Sequence, residues 1–154
     1  MNMNEAPTYR HTQKGPSAWL CSAMTVVFVV LTYFIPIVAL RIVFLVSGVV
    51  TFVVGWSLER LTVEDDGGQL VLRFGPFPLF WKQIRYDDID EAEIGRTMLL
   101  DGWGIHGNVW NVWGFDCVVL RLKSGAVLKV GTNDAEGLVA FLKERLNEGL
   151  RSAK

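Results

Sequence analysis

Residues 18–40 read AWLCSAMTVVFVVLTYFIPIVAL and residues 42–58 read IVFLVSGVVTFVVGWSL, with only Arg41 between them. The first run holds 23 residues, more than the roughly 20 apolar residues that cross a bilayer as a helix. The second holds 17 residues. At about 1.5 Å per residue it spans about 26 Å, short of the ~30 Å hydrocarbon core. Pro36 disfavours helix at the residue before it, so the chain turns within residues 33–37 and residues 37–40 lengthen the second helix. Arg41 then lies in the first turn of that helix and snorkels to the far interface. The pattern predicts a two-helix transmembrane hairpin over 18–58, following a disordered tail over 1–17. A soluble remainder of about 95 residues is too small to cover about 40 nearly uncharged ones. A cleaved signal peptide fits poorly, because the run is too long, has no convincing A-x-A site and continues into more apolar chain.

An antiparallel hairpin puts Trp19 and Trp56 at one interface and Tyr33 and Phe34 at the other, as an aromatic belt requires. The Trp side also holds Arg10, Lys14 and Arg60, against Arg41 alone opposite. By the positive-inside rule the protein is a multi-pass component of the inner (plasma) membrane, with its N-terminus and main domain cytoplasmic. Small residues recur at four-residue spacing: Ser17, Cys21 and Thr25 on one helix, Ser47, Thr51 and Gly55 on the other. That spacing permits close backbone approach, with Cys21 at the depth of Gly55 and Thr25 near Thr51.

From Glu59 onward the chain carries 12 Lys/Arg and 15 Asp/Glu, a net of −3. That balance lacks the basic face a nucleic-acid partner needs. Cys21 and Cys117 make no disulfide framework and read as small hydrophobes. Short alternating runs replace the helical pattern. Residues 61–64 read as a strand closed by Asp65-Asp66-Gly67-Gly68; Leu70, Leu72 and Phe74 alternate in the next. Residues 79–86 and 89–98 follow as strands, and Ser124-Gly125 turns a hairpin between 118–123 and 126–130. Asn133, with Glu136 three residues on, reads as the N-cap of a closing helix whose stripe is Leu138, Phe141, Leu142, Leu146 and Leu150.

Gly102-Trp103-Gly104-Ile105, Trp110, Gly114, the late hairpin and Val130-Gly131-Thr132-Asn133-Asp134-Ala135-Glu136-Gly137-Leu138 together resemble bacterial pleckstrin-homology-like domains. The segment Ile84-x-Tyr86-x-Asp88-Ile89 is similar to their middle strand. The resemblance covers roughly residues 20–146, and such domains often follow a pair of membrane helices. It implies an α+β fold over 59–150: a bent antiparallel β-sheet of six or seven strands, plugged at one end by the C-terminal helix. It implies little about biochemical role.

Several motifs bear on chemistry. Gly102 to Gly107 spells G-x-G-x-x-G, but a β-prone run with Val109, Trp110, Val112 and Trp113 follows it instead of a phosphate-binding helix. His106 has no ligand or catalytic partner at a telling spacing, and His11 lies in the tail. Asp87, Asp88, Asp90, Glu91 and Glu93 lack the spacing of a calcium loop and read as a solvated face. The first hairpin loop, residues 64–68, is acidic where phosphoinositide binders are basic, so that ligand is not expected. No cofactor, metal or catalytic residue is expected. The candidate interaction surface is Trp103, Trp110 and Trp113, with Phe80 and Trp81 just after Pro76 and Pro78. Core packing competes with partner contact for these aromatics. The sequence therefore predicts a non-catalytic, membrane-anchored module that binds a protein or peptide, with an accessory subunit of a membrane enzyme or transporter complex as the alternative.

Overall fold

The computed structural model describes residues 9–76, 80–97, 104–106 and 108–152. Strand β1 (Arg10–Lys14) leads into helix α1 (Ser17–Phe34), and helix α2 (Val38–Ser57) leads into strand β2 (Arg60–Asp65). Both helices are long and apolar enough to cross a membrane. Residues 35–37 join them around Pro36, and Arg41 Nε donates to the Ile35 carbonyl at 2.6 Å. The helices pack through small residues. A Cβ on Gly55 would collide with Cys21, so only glycine lets α2 close on α1 there. Thr25 Oγ1 donates to the Gly48 carbonyl at 3.1 Å, a turn nearer the tip than the expected Thr51. Phe28 and Phe44 meet edge to face with centroids 5.8 Å apart.

Residues 10–14 are not a disordered tail. β1 pairs antiparallel with β2, Lys14 opposite Arg60 and Arg10 opposite Glu64. The helical hairpin is thus inserted between the first two strands of a sheet, and the β-domain begins ahead of residue 59. Gly15 N donates to Glu59 O at 2.7 Å and Ser17 Oγ to Leu58 O at 2.8 Å, carrying the ladder up to the helices. The Arg-His-Thr-Gln-Lys strand gave no apolar alternation to read, because its one buried residue is Gln13. Tyr9 fixes its start by stacking on Phe141 and donating its hydroxyl to Asp134 Oδ2 at 3.1 Å.

The first sheet has the order β1-β2-β3-β4, with β3 at Gln69–Phe74 and β4 at Trp81–Arg85. At its helix-proximal end Gly75 adopts φ +66°, and any Cβ there would strike the backbone of Ser57. A 3-10 turn, Tyr86–Asp88, leads to β5 (Ile89–Arg96). β5 belongs to a second sheet ordered β5-β8-β9-β7-β6, with β6 at Gly104–His106, β7 at Val109–Asn111, β8 at Asp116–Leu122 and β9 at Val127–Gly131. The described residues therefore hold nine strands in two sheets, where six or seven were expected. β7 runs parallel to β9, so the structure is not wholly antiparallel.

Helix α3 (Ala135–Ser152) closes the domain with Leu138, Val139, Phe141 and Leu142 buried. Its N-cap is Asp134, not Asn133: Asp134 Oδ1 accepts from Gly137 N at 3.2 Å. Asn133 Oδ1 instead accepts from His11 Nε2 at 2.6 Å. One core, including Leu61, Leu70, Leu72, Phe74, Val118, Leu120, Leu128 and Val130, unites both sheets and α3. The architecture is α+β, with three α-helices among the described residues, of which two are apolar enough to span a membrane.

Candidate functional site

The five aromatics singled out from sequence do not form one patch. Trp110 is only 6% exposed and packs on Phe74 at 5.4 Å, so it belongs to the core and not to an interaction surface. Its position on β7, between the parallel and antiparallel neighbours of the second sheet, points it inward. Its indole Nε1 has no acceptor among the described residues. Trp103 lies outside the described residues. Trp113 is 45% exposed, Trp81 58% and Phe80 38%.

Trp113 sits on a turn built around Asn111, a buried residue that the sequence reading passed over. Asn111 Nδ2 donates to Gly114 O at 2.9 Å, and Asn111 Oδ1 accepts from Trp113 N at 3.1 Å. An Asn bonding the backbone two residues on is the signal that would have located this turn. Gln13 Nε2 donates to the Trp113 carbonyl, tying the turn to β1. Below it lies a cleft of about 210 Å³ lined by Pro16, Ser17, Leu20, Cys21, Leu58 and Val112. Across the joint, Trp19 and Trp56 face a second cleft beside Glu59 and Arg60. Phe80 and Trp81 occupy the helix-proximal end of the first sheet: Phe74 N donates to Phe80 O, Trp81 pairs with Arg73, and Phe74 pairs with Leu61.

The charged groups are placed structurally. Asp65, in the acidic first hairpin loop, is buried and accepts from Tyr86 Oη at 2.7 Å and from Arg145 Nη2. Burial raises the Tyr86 hydroxyl well above its ordinary range, and the Asp65 carboxylate adds to that effect. Burial also raises Tyr9, with Asp134 reinforcing it. Desolvation works against the Arg145 charge, but Asp65 more than offsets it and the guanidinium is raised. Glu91 and Glu93 pair with Arg121 at 3.5 and 3.8 Å, and Asp87 pairs with Arg85. Among the described residues no group of three or more His, Cys, Asp or Glu is placed to hold a metal ion. Of the G-x-G-x-x-G stretch, Gly104–His106 is a strand rather than the start of a helix, and Gly102 and Gly107 lie outside the described residues.

One surface stands apart from the helical hairpin. β5 has no paired strand on its outer edge among the described residues. Exposed Ile94 on β5 borders a depression of about 350 Å³ with Asp116, Asn133, Asp134, Ala135 and Glu136. The class defined here is an α+β domain carrying an inserted apolar helical hairpin. Comparison with protein-family models and with curated proteins returned no match.

Proposed function

We propose that this protein is a membrane-anchored, non-catalytic interaction module. Its helical hairpin spans the plasma membrane, and its β-domain, of pleckstrin-homology-like type, binds a protein or peptide on the cytoplasmic face. The observation that carries the reading is the outward apolar surface of the hairpin. Of α1 and α2 together only Gly48, Gly55 and Ser57 are buried, while the β-domain closes over a core of its own. A contiguous apolar surface of that extent marks a membrane or partner interface in a folded protein. Lys14 and Arg60 face each other where α1 begins and α2 ends, with Arg10 further along β1 on the same side and Arg41 alone in the first turn of α2, which supports the cytoplasmic orientation.

For the partner, the open edge of β5 supports addition of an extended segment through backbone hydrogen bonds. Asp134 and Glu136 in the depression beside Ile94, where Asp116 is already paired with Arg96, favour a segment that carries Lys or Arg. A photoreactive residue at Ile94, compared with one at Val50 on α2, tests this in native membranes. Protein adducts at Ile94 support the module. Protein adducts at Val50 alone support the accessory-subunit reading, in which the helices do the binding.

A further inference from the structure

The β-domain joins the hairpin with no linker. β1 and β2 are still paired at Lys14 and Arg60, and backbone bonding continues through Gly15 and Glu59 to the helix ends. Whatever plane the helix ends occupy, the adjacent end of the β-domain occupies it too. Trp19 and Trp56 lie at that end, lining a common cleft. So does Trp113, whose cleft is walled by Ser17, Leu20 and Cys21 of α1. Phe80 and Trp81 lie there as well, at the level of Leu61 and Thr62 and two strands away, about 10 Å from β2. Exposed aromatics of the first sheet and of the turn after β7 therefore lie at the end of the β-domain that adjoins the tryptophans of the hairpin.

We infer that Trp113 and Phe80–Trp81 are membrane contacts of the β-domain itself, which complete with Trp19 and Trp56 an aromatic collar in the interfacial layer of the bilayer. The inference rests on the hairpin spanning the membrane, and it assigns these aromatics to phospholipid and not to a protein partner. Indoles favour that layer because the ring is apolar and the N–H finds water or headgroup acceptors. The bilayer is the occupant because the collar is continuous with the lipid-facing surface of α1 and α2, and a domain without a linker has no slack to move off it. The hydrogen bonds of Asn111 and Gln13 hold the Trp113 turn in place before any contact is made. An aromatic so fixed loses little freedom on insertion. The lipid-filled space under Trp113 is the cleft against α1.

The test uses the full chain in phosphatidylcholine nanodiscs containing lipid brominated near the glycerol end of its acyl chains. W19F, W81F and W113F are each compared with the unsubstituted protein. Each substitution is expected to remove a blue-shifted, bromine-quenched part of the emission. If W19F removes a quenched component while W81F and W113F remove unquenched, red-shifted ones, the collar is wrong and the anchor stands. If W19F also removes only unquenched emission, collar and anchor fall together. As a second measurement independent of fluorescence, benzophenone at position 113 should add the mass of one phospholipid. Adducts confined to a second copy of the chain would overturn the inference.

Discussion

Val43, Leu45 and Val50 on α2 are about half exposed, whereas Leu61, Leu72 and Leu120 in the β-domain are at most 1% exposed. The same residue types face outward in one region and inward in the other. In the β-domain, burial of apolar side chains away from water supplies the driving force. In the hairpin most apolar side chains face outward, and the helices meet through the Phe28–Phe44 contact and through Cys21, Thr25, Gly48 and Gly55, where backbones approach closely. The identity of an apolar residue does not by itself separate the two regions. The environment that each apolar surface is built for does.

The largest expected effect lies on the β-domain side of that comparison. Asp65→Ala leaves the Arg145 guanidinium, which has only 12% of its side chain exposed, without its main partner, and also removes the acceptor of Tyr86. Removing one member of a buried pair costs about 3–5 kcal/mol. In detergent the tertiary signal of the β-domain should melt early while the far-ultraviolet helix signal of the hairpin survives. Loss of both together would show that the two regions fold as one unit.

Next comes Val50→Arg. At an exposed position of a water-soluble protein such a change stays within about 0.5 kcal/mol. At the centre of a membrane helix it costs about 2.5–3.5 kcal/mol. A clear rise in the fraction released by alkaline carbonate washing is expected. An unchanged membrane fraction would place that face of α2 in a polar environment and erase the contrast.

Uncharged length made the hairpin legible, and short apolar runs bounded by turn residues made β3, β8 and β9 legible, because those signals are local. β1 was illegible for the converse reason: a strand whose one buried residue is Gln13 carries no apolar period, and it and Tyr9 are held by β2, Trp113 and Asp134, which lie 46 to 125 residues away. Trp110 and Trp113 illustrate the same limit at the candidate site. Three residues apart and chemically identical, they were indistinguishable in sequence. The parallel pairing of β7 with β9 and the Asn111 turn send one inward and the other out.

The third expected effect is a loss of stability at high pH that belongs to the β-domain. Tyr9 and Tyr86 both have hydroxyls raised above the ordinary value of about 10, through burial first and then through Asp134 and Asp65. A raised value means that the folded state holds the proton more tightly than the unfolded chain does. Their contribution is therefore complete below pH about 10 and is lost as pH rises beyond it. Denaturation midpoints of the β-domain should fall as pH rises above about 10, and Tyr86→Phe should shallow that slope. An equal slope in the variant would assign the alkaline loss to other groups.

The smallest expected effect concerns helix ends, where the two regions differ again. α1 and α2 begin at Pro16 and Ile37 with no side-chain cap, whereas α3 begins at Asp134, which accepts from Gly137 N and from the Tyr9 hydroxyl. Asp134→Ala should cost about 1 kcal/mol, the usual loss for an N-cap, and should also loosen the start of β1 through Tyr9. Asn133→Ala removes only the exposed bond to His11 and should stay within about 0.5 kcal/mol. Urea denaturation followed by the near-ultraviolet signal separates the two variants. A larger loss in Asn133→Ala than in Asp134→Ala would move the cap back to the position that the spacing to Glu136 first indicated.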